Sequence, residues 1–299
     1  MDDFENFLRF ERQLSEATVR NYLYFLGGFR KFLAQDLSTP GGLRLVTQKD
    51  VSGFLSQLHA RGVTKSSISL YIVAMRSYYK WAHYMFKDDN LGKVSFFLCN
   101  IVKTSRTFAI PAVPTKAEVL KLRQVLGQFL QLNAYDKGSR AYKDTLRAYA
   151  MIELLITAGL RSKELRGLRR KDVNLGTRII FVKKGKGDFQ RVSLFGESAV
   201  QILEEYFTVY HFADDDLIFQ MVQPNVINRT IKTWAARAQI NLKIHAHSFR
   251  HFFITESNRG GVPIEVIADQ VGHRDLNSTR HYTHLDIEFI RQKYHEVKI

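Results

Sequence analysis

The chain has 299 residues, enough for two domains that each bury a core, and 45% of them are hydrophobic and 24% charged. That balance excludes a largely disordered chain, no run approaches the roughly 18 apolar residues of a membrane span, and the single cysteine, Cys99, excludes both a disulfide framework and a cysteine-built zinc site. Lys and Arg number 44 against 29 Asp and Glu, a net +15, divided as 15 against 9 in residues 1–110 and 29 against 20 in residues 111–299. Both parts are therefore basic, and a polyanion gripped by two domains is the expected partner. The acidic, amphipathic start MDDFENFLRF is not a secretory signal, so a reducing, cytoplasmic setting is expected.

Residues 1–98 read as almost wholly helical. Phe4, Phe7, Leu8 and Leu14 begin an apolar stripe, and Ser15 is placed to cap a long helix through about Leu33 with Val19, Tyr22, Leu23, Leu26, Phe29 and Phe32 at helical spacing. Thr47 caps a third helix carrying Val51, Phe54, Leu55 and Leu58, ended by Gly62. Ser66 starts a fourth, with Ile68, Tyr71, Ile72, Met75, Tyr78 and Tyr79, reaching Trp81. The stretch IVKTSRTFAIPAVP, residues 101–114, has two prolines and no helical period and reads as an extended linker. Thr115 and Glu118 form a capping box for the next helix, and another apolar helix spans about Ala141–Ala158. Beyond Arg169 the period changes to two. Arg178–Val182 and Gln190–Leu194 flank KKGKGD, a β-hairpin turned by Gly185 and Gly187. Helical pattern then resumes from about Glu197, broken near Asp214–Ile218 and Gly260–Val262.

The C-terminal two-thirds holds polar groups in apolar neighbourhoods. Arg161 follows TAGL at a helix end, Lys186 stands between two glycines, and His247 and Arg250 share one helix face at a spacing of three. His273 follows Val271-Gly272, and Tyr282 lies nine residues further on. Singly, these could be a local ion pair, a solvated turn lysine, surface residues or half-buried core. Together they compose a phosphate site able to transfer a phosphoryl group without a metal. Arginine forks fit the non-bridging oxygens. A phenol among cations can attack, and a lysine can protonate the leaving 5′-oxygen.

The order of TAGLRSKELRGLRRKDV, KKGKGDFQRVSL, HSFRH and VGHRDLNSTRHYTH resembles the tyrosine recombinase (phage integrase, Xer-like) family, over essentially the whole chain. In the first domain, Thr18, Tyr22, Phe29, Phe32, Thr47, Val51, Phe54, Leu58 and Gly62 resemble that family's helical core-binding domain. The resemblance implies a mainly α (α+β) fold. A SAM-like helical domain would occupy residues 1–98, a linker 99–114, and a mostly helical catalytic domain with a small β-hairpin sheet 115–299. It implies that Arg161 and Arg250 clamp the scissile phosphate, that Lys186 is the general acid, and that His247 and His273 lie near phosphate and phenol. Tyr282 resembles the nucleophile that forms a 3′-phosphotyrosyl bond, with Glu164 and His251 as supports.

Phe249 and Val271 replace the usual leucines, and Asn90-Leu91 the usual Asn-Pro, without removing a polar group of the set. The resemblance further implies no cofactor or metal, double-stranded DNA recognised at a specific site, and a homotetramer on synapsed DNA in the cytoplasm, associated with the nucleoid. Its C-terminal stripe of Ile287, Phe289, Ile290, Tyr294 and Val297 could dock either in cis or on a neighbouring protomer. Chromosome dimer resolution and mobile-element integration or resolution remain alternative roles. Two other classes compete. One is a metal-dependent phosphodiesterase using His245, His247 and His251 or His273, His281 and His284, for which Glu256, Asp269 and Asp275 are scattered rather than clustered. The other is a catalytically silent DNA-binding relative, against which all six polar positions are filled.

Overall fold

The computed structural model describes residues 2–36, 46–101, 112–183, 191–220, 225–240 and 243–272. The chain divides into two compact units between Thr107 and Phe108.

The first unit is a helical bundle. Helix α1 (Asp2–Asn6) runs into a π-turn over Phe7–Glu11, followed by α2 (Glu16–Asp36), α3 (Gln48–Ala60), α4 (Lys65–Phe86) and α5 (Asp89–Ile101). The caps are local and chemical. The Ser15 hydroxyl accepts from the Thr18 amide, and Thr47 exchanges bonds with Asp50 in a capping box, satisfying amides that the first turn of α3 leaves open. The core is aromatic, with Phe4 packed on Tyr78 and Trp81 at one end and Phe29 on Phe54 at the other.

Two boundaries differ from the sequence expectation. Thr64, not Ser66, caps α4, and the helix continues past Trp81 to Phe86; the stripe stops early because Tyr84 and Met85 in the last turn face solvent. Helix α5 also extends through Ile101, three residues past the stretch 1–98 read as helical.

The second unit is built around α7 (Arg140–Ala158), which packs against α6 (Lys116–Leu132), α9 (Ser198–Tyr210) and α11 (Ala246–Arg259). A helix apolar on nearly every side belongs in a centre, and α7 buries Leu146, Ala150, Met151, Ile152, Leu154, Leu155 and Ile156. Its one buried charge, Glu153, is met by a bidentate Arg123 at 2.9 and 2.7 Å and by the Ser198 hydroxyl at 2.5 Å.

Between α7 and α9 lie the short α8 (Ser162–Arg166) and an antiparallel sheet ordered β1 (Val173–Asn174), β2 (Ile179–Val182), β3 (Arg191–Leu194). Val182 pairs with Arg191 and Ile179 with Leu194, so the expected hairpin is present. The two-residue β1 is additional, too short to show a period. The turn glycines Gly185 and Gly187 lie outside the described residues. Helices α10 (Asn225–Arg237) and α12 (Ile264–Val271) complete the unit. No helix among the described residues is long and apolar enough to cross a membrane.

Candidate active site

Three arginines converge where α7, α8, β3, α11 and α12 meet. Helix α7 ends on Gly159, whose left-handed backbone (φ +60°) turns the chain, and a Cβ there would lie 2.6 Å from the Phe253 ring. The turn delivers Arg161 two residues later to the start of α8. Helix α12 ends the same way on Gly272 (φ +67°).

The carbonyls at these two helix ends gather the cations. Arg250, from α11 and only 1% exposed, donates to the Gly159 carbonyl at 2.7 Å and the Val271 carbonyl at 2.5 Å. Arg161 donates to the Gly272 carbonyl at 2.8 Å, and Arg191 to that of Gln270 at 2.9 Å. A helix C-terminus carries partial negative charge and unpaired carbonyls, so it stabilises guanidinium groups.

One carboxylate balances part of this charge. Glu164 accepts from the Arg161 backbone amide and guanidinium, each at 2.8 Å, and from both terminal nitrogens of Arg191 at 2.8 and 2.9 Å. Burial alone would raise the Glu164 pKa; the bonds from Arg191 and then Arg161 outweigh it and hold the pKa below the usual value. Three guanidiniums against one carboxylate leave the site net positive. The exposed Arg161 side chain (43%) carries that charge to the surface, where an anion can reach it.

His247 lies on the same helix as Arg250. Its ring stands 4.3 Å from that of the buried His251 and 6.4 Å from that of His245. Loss of solvation, then Arg250, His245 and Arg161, push its pKa down, so the imidazole is neutral near pH 7 and can accept a proton or hydrogen bond. His245 itself is spent on capping α11, its Nδ1 accepting from the Ser248 amide at 3.1 Å.

Of the six residues expected at the site, the structure brings together Arg161, His247 and Arg250, with Glu164 and His251 beside them. Lys186, His273 and Tyr282 lie outside the described residues. Lys183, at the end of β2, is committed to the buried Asp172 at 2.6 Å. Arg191 is the residue that the sequence did not point to, because its partners lie 27 and 79 positions away. Among the described residues no group of three or more His, Cys, Asp or Glu side chains is disposed to hold a metal ion.

Residues 126–288 match the phage integrase family, and residues 1–84 match the phage integrase N-terminal SAM-like domain. Among curated proteins, the chain is similar to tyrosine recombinase XerC of Pediococcus pentosaceus, 29% identical over 97% of this chain and 95% of the relative. It is also similar to XerC of Haemophilus influenzae, 27% identical over 98% and 95%. Among solved structures it resembles XerH site-specific recombinase bound to palindromic difH substrate in a post-cleavage complex, with TM-score 0.72 and 19% identity over 98% of this chain and 83% of that one. XerA recombinase gives TM-score 0.53 and 24% identity over 100% and 98%. These likenesses bear on the fold, a helical N-terminal domain followed by a mixed, mostly helical one.

Proposed function

The chain belongs to the phage integrase family, and from that premise we propose that it is a site-specific DNA recombinase that cuts and rejoins strands through a 3′-phosphotyrosyl intermediate. The observation that carries this reading is the net positive cluster of Arg161 and Arg250, held by carbonyls at the ends of α7 and α12 with His247 on the same helix as Arg250.

In the proposed reaction Tyr282 gives its phenolic proton to a site imidazole as its oxygen attacks the scissile phosphorus and the bond to the 5′-oxygen breaks. Lys186 gives that oxygen its proton, and the DNA 3′ end stays on the tyrosine. Attack by a 5′-hydroxyl of the partner strand reverses the chemistry and frees Tyr282. Arg161 and Arg250 meet the charge that builds on the non-bridging oxygens, and His247 and His273 support phosphate and phenol. Because the ester bond is conserved through each exchange, the reaction needs no ATP. Residues 1–98 would grip the duplex as a helical core-binding domain, residues 99–114 link, and residues 115–299 perform catalysis.

Two duplexes cut at two sites each call for a homotetramer on synapsed DNA, with the C-terminal stripe from Ile287 to Val297 docking on a neighbour. Such an enzyme works in the cytoplasm on nucleoid DNA, in chromosome dimer resolution or in mobile-element integration or resolution.

Footprinting the DNA bound in cells would supply the cognate duplex for a direct test. In excess EDTA, that duplex is expected to become covalently joined to the protein through its 3′ end. An adduct lost in EDTA and restored by magnesium would overturn the mechanism.

Lys183 is already held by Asp172, which supports a lysine further along the hairpin as the acid. Lys186→Ala is expected to lose cleavage on normal DNA and regain it on a substrate whose leaving atom is a bridging 5′ sulfur, which departs without protonation. The same substrate should not rescue Arg161→Ala. Failure to rescue either variant would confine Lys186 to contacting DNA.

A further inference from the structure

We propose that Arg191 is a positioning residue of this site, fixing Arg161 through Glu164 while fastening the end of α12 to strand β3. The proposal rests on reading the site as a phosphate clamp and names a residue that the reading leaves without a role.

All three guanidinium nitrogens of Arg191 are used. Two form a fork on the Glu164 carboxylate, and Nε donates to the Gln270 carbonyl. The side chain is only 12% exposed, so these bonds form largely out of solvent. Each Glu164 oxygen takes one bond from Arg191 and one from Arg161. An exposed arginine paired with a neighbour three residues away holds its place weakly. Here the carboxylate is itself pinned from the far side, and Arg161 inherits the restraint.

The α12 side is equally tight. A Cβ on Gly272 would sit 2.9 Å from Arg191 Cδ and 3.1 Å from its Nε, so the turn lies directly on the arginine stem. The Gln270 side chain returns to β3, donating to the Leu194 carbonyl at 2.5 Å and the Ser193 hydroxyl at 3.2 Å. Ser193 in turn donates to the Ala158 carbonyl at 3.1 Å, at the end of α7. Arg191 therefore stands where the segment carrying Arg161 meets the segment whose next residue is His273.

An arginine that merely held the fold together would also make these bonds, so the test must separate the two roles. Glu164 is faced by Arg161 at the start of α8 and by Arg191 from β3, while α12 offers the carbonyls of Gln270 and Gly272, and α11 brings Arg250 and His247 near Arg161. Without Arg191, burial still raises the Glu164 pKa, whereas its strongest lowering partner is gone. Glu164 would then be protonated more readily as the pH falls, and would release Arg161.

The experiment measures single-turnover covalent adduct formation and DNA affinity for the parent, Arg191→Ala and Arg191→Lys, at several pH values. Arg191→Ala is expected to react about 100-fold more slowly, the scale of a small misplacement of a catalytic group, with affinity nearly unchanged. The deficit relative to the parent should widen as the pH falls. Arg191→Lys keeps charge and stem but loses the fork, so it should recover only part of the rate; if the alanine variant does not fold, the lysine variant decides. A folded variant that reacts like the parent, or a deficit that is the same at every pH, would overturn the positioning role. Absence of adduct with the parent protein would instead overturn the recombinase reading, and this inference with it.

Discussion

Tyr282→Phe is expected to bind its DNA as the parent does and to form no covalent adduct at all. The substitution removes one oxygen and leaves the ring, so contacts of the basic surface with phosphates persist while the attacking atom is gone. Five of the other tyrosines are poorly suited to take over. Tyr79, Tyr142, Tyr149, Tyr206 and Tyr210 all have pKa values pushed up, in each case chiefly by burial, which opposes the phenolate that attack requires. The measurement is denaturing electrophoresis of protein with labelled cognate duplex, followed by mass spectrometry of the labelled peptide in the parent. A peptide containing Tyr294 in place of Tyr282 would show that the nucleophile had been misassigned.

The parts legible in the sequence are those with local causes. Thr47 and Thr115 announce helix starts because a capping box closes within four residues, and both boxes are present. Arg161, His247 and Arg250 were recognisable from short motifs, and Glu164 from its place three residues after Arg161. What was not legible is long-range. Nothing in QRVSL marks Arg191 as different from a solvated strand arginine, since Glu164 and Gln270 meet it only after β3 is laid against α8 and α12. The last turn of α4 escaped for the opposite reason, its exposed Tyr84 and Met85 belonging to no stripe. Taken singly, Arg250 could equally be a surface residue paired with His247 at a spacing of three, whereas its guanidinium is buried between two helix ends.

That difference in burial separates the two arginines experimentally. Arg161→Ala is expected to lose about 3 kcal/mol of transition-state stabilisation, the scale of deleting one preorganised donor to a developing oxyanion. Its exposed side chain makes only a small contribution to the fold, so the melting temperature should move little. Arg250→Ala should lose at least as much in rate and should also melt lower. Its removal empties a buried site and deprives the Gly159 and Val271 carbonyls of their donor, at a cost of about 1–3 kcal/mol for each buried group left without a partner. Arg250→Lys would not restore either property, because one ammonium on a flexible stem does not span the two carbonyls as a planar fork does. Adduct rates, DNA affinity and thermal unfolding measured on the three variants decide the matter. Parent-like rates in Arg161→Ala would remove it from the clamp. An Arg250→Ala protein as stable as the parent would mean that the bonds to α7 and α12 contribute little, and that Arg250 is held for the phosphate alone.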